Sequence, residues 1–165
     1  MKKKIFTALG LMSGTSMDGV DLSVIETDGY DYYSQISDKY YEFNDQLYKD
    51  LILLRESVRK SEDLQINSLL VNEIEKKFTL FNAEIINEFI KKEGIHPNLT
   101  GLHGQTIYHS AKDKISKQIG DGNLLSQLTK CIVVNKFRQQ DLDNGGQGAP
   151  LTPLFHYLIS KKIIK

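Results

Sequence analysis

A short apolar run, Ile5 to Met12, opens the chain and breaks at Ser13-Gly14-Thr15-Ser16-Met17-Asp18-Gly19, a stretch of turn-forming residues. An apolar run of that length closed by a turn reads as a buried strand. A second strand is expected at about 20–27 and a tyrosine-rich third at about 31–43, with Asp28-Gly29 turning the chain between them. Three sequential strands on tight turns predict an antiparallel meander. The period then changes. Leu47, Leu51, Leu54 and Val58 recur at helical spacing over 45–60, and Leu69, Leu70, Ile74, Phe78, Phe81, Ile85, Ile86 and Phe89 do so over 63–93. The second stretch is long for one globular helix and predicts a break within it, and its apolar stripe reads as core packing.

After His96-Pro97 the pattern returns to strand at Leu99–His103, with another short strand near 115–120. A helix is expected at about 122–130, a strand at Cys131–Val134, a glycine-rich loop at 142–150 and a last helix over Pro150–Ile164. Strands first, then helices alternating with strands, predict an α/β layer architecture.

Composition narrows the class. With 165 residues, 40% hydrophobic and 25% charged, the chain has the length and make-up of one soluble globular domain. Lys plus Arg (21) balance Asp plus Glu (21), so charge gives no reason to expect nucleic acid as a partner. The single cysteine, Cys131, excludes an internal disulfide and a cysteine-based zinc site, and reads as an inert core thiol. Lysines before an apolar run imitate a signal peptide at the start, but no Ala-x-Ala-like cleavage site follows. No run approaches the roughly 18 apolar residues that span a bilayer, and the cytoplasm is the expected compartment.

Three stretches carry candidate chemistry. In Ser13–Asp21, Gly14 and Gly19 let backbone N–H groups approach an anion, Thr15 and Ser16 add hydroxyls, and Asp18 is placed to hold magnesium through water. The loop joins two strands and lacks the Gly-Lys-Ser/Thr of a P-loop, so an ordinary hairpin turn competes with phosphate binding. In Gly101–His109, the polar residues His103, Gln105 and Thr106 follow a buried strand, the position where α/β sheets bind ligands. His103 and His109 also admit a metal-ligand reading, which lacks an accompanying carboxylate motif. In Phe137–Leu151, Asp141 stands just before Gly145, Gly146 and Gly148. A carboxylate of ordinary acidity, near about 3.9, is ionised at neutral pH and needs only positioning to act as a base. A surface turn with Asp141 paired to Arg138 is the plainer alternative.

Together, Gly-Thr-Ser-Met-Asp-Gly-Val-Asp, Gly-x-His-Gly-Gln-Thr-x-x-His, Gln-Ile-Gly-Asp at 118–121 and Phe-Arg-x-x-Asp-x-x-x-Gly-Gly-Gln-Gly-Ala-Pro-Leu resemble the anhydro-N-acetylmuramic acid kinases, from about residue 9 onward. The resemblance implies a ribonuclease-H-like α/β lobe of the sugar-kinase, Hsp70 and actin-like superfamily, with ATP and magnesium as cofactors. It implies that Gly14, Thr15, Ser16, Met17, Asp18, Gly19, Val20 and Asp21 form the ATP loop, with Asp18 in the magnesium shell. Asp141 matches the catalytic base, while His103, Gln105, Thr106 and Arg138 match positions near the anhydro amino sugar. Lys136, Asp143 and Asn144 depart from the family pattern. Members are about twice this length, so residues 1–165 are expected to be the amino-terminal lobe of a two-lobed kinase, cut at the start of the second lobe and inactive alone. Two alternatives remain: a non-catalytic remnant that binds sugar or pairs with a partner chain, and a related phosphotransferase acting on another sugar. A homodimer or a separately supplied second lobe is the expected partner, and Leu151–Ile164 is expected to leave apolar surface exposed.

Overall fold

The computed structural model describes residues 4–163, so the opening Met1-Lys2-Lys3 and Ile164 of the expected last helix lie outside the described residues. The expected meander is present: β1 (Phe6–Met12) pairs antiparallel with β2 (Gly19–Thr27), and β2 with β3 (Tyr33–Glu42). Period-two burial explains the pairing. Leu9, Leu11, Val20, Leu22 and Val24 are all buried, while Gly10, Met12, Asp21 and Ser23 face the other way.

Helix α1 (Asp45–Ser57) starts where Asn44 accepts a hydrogen bond from the Leu47 N–H at 2.9 Å. The expected break in the long helical stretch falls at Asn67, between α2 (Ser61–Ile66) and α3 (Ser68–Glu93). There the Asn67 amide donates at 3.0 Å to the carbonyls of Ser57 and Asp63, which binds the kink to the end of α1. Helix α3 ends at Gly94, whose left-handed φ of 67° closes the last turn. Its apolar stripe does pack the core through Ile74, Phe78, Ile85, Ile86 and Phe89. Leu69, expected on that stripe, is instead 86% exposed, because it shares a helix face with the exposed Asn72 and Glu73 rather than with Ile74.

Strand β4 (Leu99–Leu102) then lies parallel to β1, and β7 (Val133–Asn135) parallel to β4, giving the order β3-β2-β1-β4-β7. This mixed sheet is the ribonuclease-H-like α/β lobe that the motifs imply. Two elements differ from expectation. Residues 105–110 are a strand, β5 (Gln105–Ser110), paired antiparallel with β6 (Ile115–Ile119) in a separate two-stranded sheet. Its buried positions, 105 and 107, carry Gln and Ile, and the polar Gln hides the alternation from a hydrophobicity reading. Residues 137–143 are helical, α5 (Phe137–Asp143), and the helix runs into the start of the glycine-rich loop expected at 142–150. Between these, α4 (Gly122–Thr129) is capped by Asp121, which accepts from the N–H groups of Asn123 and Leu124. Cys131 is buried but precedes β7, which is an edge strand with Val134 44% exposed.

The last helix, α6 (Pro153–Ile163), lies over the sheet face opposite α1 and α3, where Phe155 meets Tyr33 at 5.1 Å between ring centroids. Leu154 is 75% exposed there, in line with the apolar surface expected for this segment. No described helix is long and apolar enough to cross a membrane.

Phe78 holds the layers together: it is 1% exposed, meets Phe43 edge-on at 5.9 Å and lies under Gly120 ahead of α4. Phe78→Ala is expected to cost about 3–5 kcal/mol of unfolding free energy in a denaturant titration. A loss within experimental error of zero contradicts this account of the core.

Candidate functional site

The register brings three loops together. Leu11 is paired with Leu102, and Leu102 with Asn135, so β1, β4 and β7 end at the same level. Neighbouring strands lie about 4.8 Å apart, so Ser13, His103 and Lys136 leave the sheet side by side. That carboxyl edge of parallel strands is where α/β sheets bind ligands.

The loop after β1 is both a hairpin connection and a shaped cradle. Met17 has a φ of 57° yet is 1% exposed, so its side chain pins the loop into the core. Val20, also 1% exposed, faces the core as well. In the stretch expected to hold nucleotide, those two side chains are therefore closed to a ligand, while Thr15, Ser16, Asp18 and Asp21 are exposed. Asp18 accepts from the Ser16 hydroxyl at 2.5 Å, and this bond above all holds its carboxyl below the usual range. Tyr40 packs against Gly19 beside it. Arg55, at the end of α1, reaches the Thr15 carbonyl at 3.4 Å, a neighbour that no sequence pattern singles out.

Gln105 braces this loop from below. It is completely buried, accepts from the Ser13 hydroxyl at 2.5 Å and donates to the Gly14 carbonyl at 3.0 Å. Expected near a sugar, Gln105 has its amide engaged by the loop and does not line the cleft where His103 and Asp141 meet. Thr106 accepts from Gln118 at 3.2 Å within the β5–β6 hairpin and also stays away from the cleft.

His103 and Asp141 do come together, in an open cleft of about 750 Å³ that Asn135, Phe137, Gln140, Asn144 and Leu151 complete. Asn135 and Gln140 carry no sequence signal of their own; the end of β7 and the turn of α5 put them there. Asp141 sits on the last turn of α5 beneath the glycine loop. Its Oδ2 accepts from the Gly148 N–H at 2.8 Å, and its carbonyl accepts from the Gly146 N–H at 2.8 Å. Any side chain at Gly146 would strike the Asp141 carboxylate, so close backbone approach requires glycine here. Asp143 turns away to accept from Gln139 at 2.8 Å.

Arg138 makes no ion pair with Asp141 among the described residues. Its Nε donates to His103 Nε2 at 2.9 Å and its Nη1 to the Gly148 carbonyl at 2.8 Å. His103 Nδ1 lies 2.8 Å from the Gly104 carbonyl, which can only accept. One tautomer satisfies both contacts: neutral imidazole, protonated at Nδ1, with Nε2 as acceptor. Burial, helped by the charge of Arg138, pushes the His103 pKa down and keeps this form. His109 Nδ1 instead contacts the Ser116 hydroxyl at 3.0 Å, and no cluster of three or more potential metal ligands forms among the described residues.

The family model for anhydro-N-acetylmuramic acid kinase matches residues 6–163. The kinase of that name from Pelagibacter ubique is 55% identical over 157 residues, covering 95% of this chain and 42% of the relative. The corresponding proteins of Brucella canis and Zymomonas mobilis are 34% and 36% identical, covering 94% and 92% of this chain and 43% of each relative. The chain thus spans less than half the length of the curated relatives it matches.

Two outcomes follow from this geometry. Gln105→Leu strands the Ser13 hydroxyl and the Gly14 carbonyl and is expected to cost about 1–3 kcal/mol in denaturant unfolding; unchanged stability contradicts the bracing role. His103 binds its proton less readily folded than unfolded, so the unfolded chain gains protons first on acidification. Stability is therefore lost as pH falls below about 6.5, and the pH slope of the melting temperature between about 7 and 5 should flatten in His103→Gln. Equal slopes in the two proteins contradict the assignment.

Proposed function

The chain belongs to the anhydro-N-acetylmuramic acid kinase family, and from that premise we propose that its cleft is the sugar-handling part of a site that opens 1,6-anhydro-N-acetylmuramic acid and phosphorylates O6. The product is N-acetylmuramic acid 6-phosphate, and the setting is peptidoglycan recycling. The observation that carries the proposal is the state of Asp141: one carboxylate oxygen is held by the Gly148 N–H, and among the described residues Oδ1 accepts no hydrogen bond at the wall of the cleft.

In this reading water adds to C1 of the sugar while its proton passes to Asp141. The C1–O6 bond breaks as the new C1–O bond forms, and O6 becomes the acceptor oxygen. ATP would supply the phosphoryl group to O6, with ADP as the leaving group, and magnesium would offset charge on the phosphates. The loop Gly14–Asp21 offers backbone N–H groups and the Thr15 and Ser16 hydroxyls to those phosphates, and its rigidity comes from Met17 and Gln105. Asp18, exposed and held ionised by Ser16, fits an outer-shell role toward magnesium. The exposed hydroxyls of Thr15 and Ser16 suit phosphate, and the exposed carboxylates of Asp18 and Asp21 suit a cation.

Only 42–43% of the length of the relatives is represented in these residues, and a cleft enzyme needs both walls to exclude water. The 165-residue chain alone is therefore expected to bind the anhydro sugar with negligible turnover.

Asp141→Asn, in a version extended to the length of the relatives, tests the role of the base. Ring opening followed by mass spectrometry should fall about 10²- to 10⁴-fold, with calorimetric sugar affinity little changed. Ring opening at the unsubstituted rate overturns the reading.

A further inference from the structure

Arg138 and Asp141 stand three apart on α5, a spacing that places an arginine and an aspartate within reach of each other. A direct pair, with the guanidinium fork on both carboxylate oxygens, would occupy the lone pairs that a base needs. The structure avoids that arrangement. Nε of Arg138 is drawn off by His103 Nε2 at 2.9 Å, and Nη1 grips the Gly148 carbonyl at 2.8 Å. Gly148 turns its other polar group, the N–H, onto Asp141 Oδ2 at 2.8 Å.

Gly148 is confined on every side. It is buried with a φ of 71°, and a Cβ there would lie 2.8 Å from His109 Cε1 and 3.2 Å from Leu142 Cγ. The two backbone groups of this residue therefore carry the positive charge of Arg138 on one side and the negative charge of Asp141 on the other, without contact between the two ions. His103, neutral and itself fixed by the Gly104 carbonyl, is the acceptor that keeps the guanidinium turned aside.

We propose that Arg138 and His103 are positioning residues: through Gly148 they hold the Asp141 carboxylate with one oxygen fixed and the other free for the proton of the attacking water. The assignment rests on the role proposed above for Asp141, but the arrangement itself is open to a test that needs neither sugar nor turnover. Lysine cannot replace this arginine, because one ammonium does not reproduce the fork that meets both acceptors. Glutamine can replace the histidine, since its amide offers both an acceptor for Arg138 and a donor for Gly104.

The test is NMR of the 165-residue chain, following the Gly148 amide proton as Asp141 titrates, with Asp141→Asn as the blank. In the unsubstituted chain the Gly148 resonance should move with pH, and His103 should show a protonated Nδ1 and a bare Nε2. Arg138→Ala and Arg138→Lys should each cut that movement by more than half and speed Gly148 amide exchange about tenfold. His103→Leu should do the same, whereas His103→Gln should preserve both signals. Sheet amides of β1 and β2 serve as the folding control, and if the alanine variant does not fold the lysine variant decides. Unsubstituted behaviour in Arg138→Lys, or identical behaviour in His103→Leu and His103→Gln, overturns the proposal. Ring opening that ignores Asp141 would instead overturn the kinase role and leave this hydrogen-bond assignment standing.

Discussion

A polar side chain sealed from water must find partners inside the protein, and Gln105 is the place where this lobe meets that demand. Leaving a buried amide unpaired costs on the order of 1–3 kcal/mol, so its bonds to Ser13 and Gly14 are obligatory. They join the first residue of β5 to the loop that closes the β1–β2 hairpin, across 91 residues of sequence. The loop thus receives its shape from a strand outside its own sheet, and with Met17 anchored in the core it has little freedom left.

His103 lies two residues before Gln105 and points the other way. Its imidazole engages Arg138, which engages Gly148, which engages Asp141. The segment His103-Gly104-Gln105 is therefore attached to both halves of the candidate site: the hydroxyl-bearing loop on one side, the carboxylate and its glycine loop on the other. Gly104 makes this possible. At a φ of 77°, packed against the Ile119 carbonyl, it turns the chain from the five-stranded sheet into the hairpin without room for a side chain. Two glycine-rich loops distant in sequence are in this way referred to one short, rigid turn.

Much of this lobe was legible in the residues. An apolar run over 5–12 and the turn residues on either side of about 20–27 marked the strands, and the length of the 63–93 stripe announced the break that Asn67 makes. Less visible was anything in which a polar residue takes a buried position. Gln105 disguised β5, and with it the whole β5–β6 hairpin. Helix α5 was hidden because its one buried residue is Leu142, too few for a periodic signal. Among the candidate site residues, Asp141 and His103 come from separate motifs, and the structure brings them to the wall of one cleft. Gln105 and Thr106 were drawn toward the sugar by their neighbours in sequence, while their side chains point to structural partners. The path from Arg138 to Asp141 through a backbone amide has no sequence signature, since a main-chain group stands between the two ions.

Met17 bears on how this protein tolerates inherited change. Left-handed backbone disfavours branching at Cβ, and complete burial disfavours charge, so the position is restricted to unbranched apolar side chains of similar volume. Thr15 and Ser16, a residue or two away, project into solvent under neither restriction. Lineages descending from this sequence should therefore keep an unbranched apolar residue at the root of the loop, because a change there would shift through the backbone the hydroxyls that the rim presents.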